Sequence, residues 1–197
     1  GDICLADTIS INQKRFSIIV NGDAMGKSMQ GAGGALVLGV VLKSIITRTQ
    51  LIAEEKDVTP MIWLERCFKE LNQVFFSLEG YMLVSVFIGL LEEETGKLYF
   101  VNAEHPSAVL LRDGKASFVQ NDLRTRKIGT LGEGQNVKVE NFQMLSGDVL
   151  FIGSDGKDDL VVGIQESGER KIAHEEEIFM DLIEKFRKTL NLIHPHP

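Results

Sequence analysis

From Tyr81 to Val119 the chain carries four β-rich segments in close succession: Tyr81–Leu91, Lys97–Ala103, Ala108–Arg112 and Lys115–Val119. They are separated by Glu94-Thr95-Gly96, a turn containing Pro106, and Asp113-Gly114. A parallel crossover needs roughly a dozen residues or more, usually a helix, and none of these connections has room for one. Strands joined this way pair antiparallel, and Asp113-Gly114 is a strong hairpin signal. A nucleotide-binding fold of alternating parallel strands and helices is excluded on the same ground.

Helical periodicity lies upstream. Pro60 suits a first helical turn, and Leu64, Cys67, Phe68, Leu71, Val74, Phe75 and Leu78 follow at spacings of three and four. A second helix is expected from Gly31-Ala32-Gly33-Gly34 through Leu36, Val37, Val40, Val41 and Ile45 to about Arg48, with small residues that let backbones approach closely. Before it, Arg15–Val20 reads as a strand that stops in a tight turn at Asn21-Gly22. Later strands are expected at Asn136–Gln143 and Val149–Gly153, and an acidic helix at Glu175–Leu190. Helices grouped between meandering strands predict an α+β fold, with antiparallel sheets covered by helices. Residues 1–197 read as one domain, the C-terminal part of a longer protein.

A formal net charge of -7 argues against nucleic acid as a partner, because phosphate backbones recruit clustered Lys and Arg. The one basic run, Arg124-Thr125-Arg126-Lys127, reads as a solvated loop, with a phosphorylated substrate's contact as the alternative. Uninterrupted apolar runs such as Ala35–Val41 and Met82–Leu91 fall short of the roughly 20 residues that cross a bilayer, so no membrane contact is expected. The two cysteines sit in unlike contexts, Cys67 on an apolar helical stripe; this fits a reducing cytoplasm rather than a disulfide scaffold.

Three segments share one design, an aspartate beside glycine at a strand edge: Gly1-Asp2, Gly22-Asp23 and Ser154-Asp155-Gly156. Taken singly, each is ordinary turn chemistry. Taken together, they are carboxylates of the kind that hold hard divalent cations, beside glycines that let the backbone come close. Gly26-Lys27-Ser28 is similar to the end of a phosphate-binding loop, but Asn21 stands where that loop's first glycine belongs.

Larger stretches carry a family resemblance. Asn21-Gly22-Asp23-Ala24-Met25-Gly26-Lys27-Ser28-Met29-Gln30-Gly31-Ala32-Gly33-Gly34-Ala35-Leu36 resembles the Asp-x-x-Gly-[His/Lys/Asn]-Gly-x-x-Ala-[Ala/Ser] segment of the bacterial SpoIIE-type branch of protein phosphatase 2C-like, metal-dependent phosphatases. In the same order follow Tyr99-Phe100-Val101-Asn102-Ala103-Glu104-His105-Pro106, similar to Tyr-x-Asn-Ala-Gly-His-Pro, then Arg112-Asp113-Gly114 and Ile128-Gly129-Thr130-Leu131-Gly132. Gly147-Asp148-Val149-Leu150-Phe151-Ile152-Gly153-Ser154-Asp155-Gly156 resembles Gly-Asp-x-Leu-x-x-x-[Ser/Thr]-Asp-Gly, so the likeness covers residues 1 to about 160.

The resemblance implies a four-layer α-β-β-α sandwich with a binuclear Mg²⁺ or Mn²⁺ centre. Asp23 would bridge the metals, the Ala24 carbonyl and Asp2 would help hold one, and Asp155 the other. Asp23 and Asp155 are thereby the expected catalytic residues, and Lys27, Asn102 and His105 candidate substrate contacts. The implied reaction is hydrolysis of phosphoserine or phosphothreonine by metal-activated water. The implied partner is a phosphorylated signalling protein, such as a STAS-type anti-anti-sigma factor.

Departures from the pattern are equally visible. Nothing after Leu160 matches the family's Asp-Asp-x-[Thr/Ser] strand, Leu5 stands where an acidic residue often follows Gly-Asp, and Glu104 replaces a glycine. Asp158-Asp159 reads as a solvated loop or cap rather than a substitute ligand. His194 and His196 alternate with prolines and read as tail residues. A phosphatase-like module that binds a partner without turnover is the rival reading.

Overall fold

The computed structural model describes residues 1–26, 29–51, 57–119, 125–131, 136–156, 161–164, 170–172 and 179–186. Of the residues singled out above, Lys27, Ser28, Arg124, Gly132, Asp158, Asp159, His194 and His196 lie outside this set. The chain groups into two compact units: Gly1–His105 with Asp122–Met144, and Pro106–Asn121 with Leu145–Pro197.

The first unit is a five-stranded antiparallel sheet in the order β1-β2-β3-β4-β7, from β1 (Asp2–Ile11), β2 (Lys14–Ala24), β3 (Val84–Glu92), β4 (Lys97–Ala103) and β7 (Glu140–Gln143). Helices α1 (Met29–Leu51) and α2 (Pro60–Phe76) pack on the sheet. Along β2, Phe16, Ile18, Val20 and Ala24 are buried, while Ser17, Ile19, Asn21 and Asp23 alternate with them on the opposite face. That two-residue period is what a strand with one helix-covered face requires. Val86, Ile88, Leu90 and Val101 join the same core with Leu38, Leu42 and Ile46 of α1 and Leu64, Phe68 and Leu71 of α2. Each such side chain contributes about 1.5–3 kcal/mol on burial.

The start of α2 carries its own signals. Thr59 is the N-cap, its side chain accepting from the Ile62 N–H at 3.2 Å, and Pro60 fills the first turn. Trp63 Nε1 donates to Thr49 Oγ1 at 3.0 Å and so joins α2 to α1. By length and composition α1 is apolar enough to cross a membrane, which uninterrupted apolar runs do not reveal. Its buried stripe, Gly31, Gly34, Leu38, Leu42, Ile45 and Ile46, belongs instead to this unit's core.

The second unit holds an antiparallel sheet of order β6-β5-β8, from β5 (Val109–Arg112), β6 (Lys115–Phe118) and β8 (Val149–Phe151), and a two-stranded pair, β9 (Val161–Ile164) with β10 (Arg170–Ile172). Residues 179–186 are helical and form α3, whose Ile183 packs with Val109 and Leu111. The Asp113-Gly114 hairpin is present, both residues having positive φ, with Arg112 opposite Lys115. Arg112 grips Asp148 through Nε at 2.9 Å and Nη2 at 2.6 Å, and Asp148 also accepts from the Leu145 N–H. The guanidinium holds the Asp148 carboxyl below its ordinary value.

Among the described residues the fold is α+β, with antiparallel sheets and helices, as the sequence predicts. Three local expectations change. Asn21-Gly22 is not a turn: β2 runs on to Ala24, and a Cβ on Gly22 would come 2.8 Å from Leu38 Cδ2, so glycine is there for the approach of α1. Residues 2–11, for which the sequence reading gives only a strand edge at Gly1-Asp2, form β1, and β7 begins only at Glu140.

Candidate metal centre

Asp2 and Asp23 are cross-strand partners in the β1–β2 register. The preceding pair, Gly1 with Ala24, exchanges both backbone hydrogen bonds, at 2.9 Å from the Ala24 N–H to the Gly1 oxygen and 2.7 Å from the Gly1 nitrogen to the Ala24 oxygen. Antiparallel ladders alternate, so Asp2 and Asp23 form the non-hydrogen-bonded kind of pair, in which side chains come closest. Two like charges so placed repel.

The Gly1 nitrogen lies 3.1 Å from Asp23 Oδ1 and 2.7 Å from the Ala24 oxygen. Asp2, Asp23 and the Ala24 carbonyl are hard oxygen donors, the chemistry that Mg²⁺ and Mn²⁺ take.

Helix α1 completes the cradle. A Cβ on Gly31 would lie 2.6 Å from the Gly26 oxygen, 2.8 Å from the Gly1 nitrogen and 3.2 Å from the Ala24 oxygen. Only a residue without a side chain lets the start of α1 lie this close to the Gly26 carbonyl and the Gly1 nitrogen. The donors present therefore fit a divalent cation. Among the described residues no group of three or more His, Cys, Asp or Glu side chains assembles for metal binding, so the fit rests on this pair and its carbonyl. Asp155 belongs to the second unit, in a turn at residues 155–156 that follows β8.

Asn102 and His105 are on the first unit and shielded, at 2% and 0% exposure. The His105 N–H donates to Asn102 Oδ1 at 2.8 Å, Nε2 lies 2.7 Å from Asn21 Oδ1, and Nδ1 lies 3.1 Å from Ser85 Oγ. Ser85 is the β3 partner of Asp23, and Asn21 precedes Asp23 by two on the same face. Glu104 has φ +47°, the left-handed region, which explains why the family pattern carries glycine there. Asn21 and Ser85 are neighbours of Asp23 that motif reading misses: Asn21 shares its face through the two-residue strand period, and Ser85 reaches it through the β2–β3 register.

The described part of the basic run is pinned at both ends. Thr125 bridges to Ala103, and Ile128 exchanges backbone hydrogen bonds with Val84 at 2.9 and 3.1 Å. Between them Arg126 is exposed, and Lys127 Nζ reaches Met25 Sδ at 3.5 Å, two residues beyond Asp23.

The family model described as Stage II sporulation protein E (SpoIIE) matches residues 14–191. No curated protein matches the chain. Among solved structures, the RsbU and RsbW domains of a Mycobacterium tuberculosis protein align with a TM-score of 0.62 at 22% identity, over 94% of this chain and 46% of that one. The SiaA-PP2C domain of Pseudomonas aeruginosa aligns at 0.64 and 16% identity, over 93% and 65%. The catalytic domain of the serine threonine protein phosphatase PstP, in complex with 2 manganese ions, aligns at 0.55 and 15% identity, over 80% and 78%. At these identities the likeness shows the fold. The chain spans between about half and two thirds of the first two structures' length.

Proposed function

This chain belongs to the Stage II sporulation protein E (SpoIIE) family, and from that premise we propose that it is a metal-dependent phosphatase acting on phosphoserine or phosphothreonine of a protein. The register that sets Asp2 against Asp23, with the Ala24 carbonyl beside them, carries this reading. Asp23, the Ala24 carbonyl and Asp2 would hold one Mg²⁺ or Mn²⁺, and Asp155, on the second unit, is proposed as a further metal-binding residue on the family resemblance. Bound there, such ions lower the pKa of a water and offset charge on the phosphoryl oxygens. The PstP structure with its manganese ions supports the choice of metal.

The chain's own cations have a separate task. Arg126 and Lys127 are held beside the exit of β2 and would draw a phosphate toward Asp23 in an otherwise acidic protein. Lys27, four residues past Asp23, is proposed to face the substrate as well. The proposed substrate is a phosphorylated STAS-type anti-anti-sigma factor in a partner-switching pathway. The likeness to a protein that carries an RsbW domain beside its RsbU domain supports this. Cys4 and Cys67 are both free thiols, which supports a cytoplasmic setting.

The test is Mn²⁺-dependent hydrolysis of a phosphopeptide by the wild type and by Asp23→Ala. Turnover that the substitution abolishes is expected; equal, negligible rates across a range of Mn²⁺ would sink the reading. In that event the second reading stands, a phosphatase-like module that binds a phosphoprotein without turnover. The missing Asp-Asp-x-[Thr/Ser] segment favours it.

A further inference from the structure

We propose that His105 is a positioning residue for the Asp23 carboxylate, acting through Asn21 and Ser85 rather than by touching substrate. The proposal rests on the phosphatase reading of the site and deepens it. The imidazole is fully shielded, and both ring nitrogens are spent on protein atoms. A side chain so enclosed is not presented to a phosphoprotein. Its partners flank Asp23: Asn21, its neighbour on the same face of β2, and Ser85, directly across on β3.

The hydrogen-bond chemistry assigns the network. As the Asn21 amide is oriented, its oxygen only accepts, so Nε2 carries the proton. Nδ1 of the neutral ring then accepts from the Ser85 hydroxyl. Asn102 Oδ1 holds the His105 N–H, and the left-handed backbone at Glu104 turns the chain after β4 so that the ring lies back over the sheet. One ring thus ties β2, β3 and the end of β4 together around Asp23. With these strands locked, the carboxylate and the Ala24 carbonyl are set before a cation arrives. Hydrogen-bond partners of a metal's own ligands are worth about 10–100-fold in metal affinity when removed, and a group one step further out acts at the low end of that range.

The experiment measures Mn²⁺ binding directly, by the free-Mn²⁺ electron paramagnetic resonance signal, alongside thermal stability and the kcat and KM for p-nitrophenyl phosphate. In His105→Ala the Mn²⁺ dissociation constant is expected to rise about tenfold, with KM at saturating Mn²⁺ unchanged. His105→Gln, which can still donate to Asn21 and accept from Ser85, should recover most of the affinity. Asn21→Ala should lose as much as His105→Ala, and the double variant little more, since both break one network. Ser85→Ala removes a single hydrogen bond and keeps the test open if His105→Ala does not fold; it should weaken Mn²⁺ a few-fold. Wild-type affinity in folded His105→Ala or, where that variant does not fold, in Ser85→Ala overturns the proposal, as does failure of His105→Gln to recover binding. Asp23→Asn separates the two claims. If it too leaves Mn²⁺ binding intact, the metal site itself is wrong; if it abolishes binding while His105→Ala does not, only the positioning role falls.

Discussion

Gly31 of α1 lies so near Gly26 that a Cβ there would fall 2.6 Å from the Gly26 oxygen, which leaves no room for a methyl group, and 3.2 Å from the Ala24 oxygen. In a helix interior, Gly→Ala ordinarily stabilises by about 1 kcal/mol. Gly31→Ala should reverse that sign, destabilising by about 1–3 kcal/mol as overpacking does, and weaken Mn²⁺ binding. Gly33→Ala is the matched control, since its Cβ would meet only Met82 Cε at 3.5 Å. It should stabilise by about 0.5–1 kcal/mol. Urea unfolding of the two variants checks the contrast.

The opposed carboxylates predict a metal-dependent stability. At a Mn²⁺ concentration 100 times its dissociation constant the wild type should gain about 2.7 kcal/mol. Asp23→Asn should show no gain. In chelator, Asp2→Asn should be as stable as the wild type or more so, by about 0.2–1 kcal/mol, because the like-charge pair is relieved. Scanning calorimetry with and without Mn²⁺ reads both effects.

Glu104 holds a left-handed backbone that costs an L-residue about 1–2 kcal/mol. Glycine relieves that strain and gives back part of the gain as unfolded-state entropy. Glu104→Gly should therefore stabilise by about 0.5–1 kcal/mol, seen as a higher urea midpoint at unchanged slope.

Asp148 supplies the pH dependence. Arg112 and the Leu145 N–H hold its carboxyl below the ordinary value, so its stabilisation is fully present above the unfolded pKa, about 3.9. It is lost as pH falls through the lower folded value. The stability difference between wild type and Asp148→Asn should be constant from pH 5 to 7 and shrink below about pH 4. Asp7, lowered by its hydrogen bond from Lys43, adds to the same acid limb.

Much of the scaffold is legible in the chain because local signals and tertiary packing agree. α2 has its cap, its proline and its three-four stripe, and Asp113-Gly114 supplies the φ > 0 pair that a tight hairpin needs. β1 escapes notice because its hairpin turns on Asn12-Gln13, both at positive φ without a glycine to announce it. Gly22 misleads in the opposite sense, a glycine kept for the passage of Leu38 that reads locally as a turn. Asp2 and Asp23 are both singled out by motif, but their pairing across β1 and β2 is read only from the strand register. The tie from His105 to Asn21 spans 84 residues, and no local pattern encodes it.

β1 stands at the edge of the described sheet, paired on one side by β2 alone, and carries Asp2. An edge strand held by one neighbour opens at lower free-energy cost than a central one. At the proposed metal site every opening of residues 2–5 would withdraw one carboxylate from the cation, and a bound cation would resist the opening by the same free energy. Amide hydrogens of residues 2–5 should thus exchange with solvent more slowly as Mn²⁺ is added, while those of β3, in the middle of the sheet, keep their rate. In the proposed site this edge strand would be a latch whose closure is part of the affinity itself.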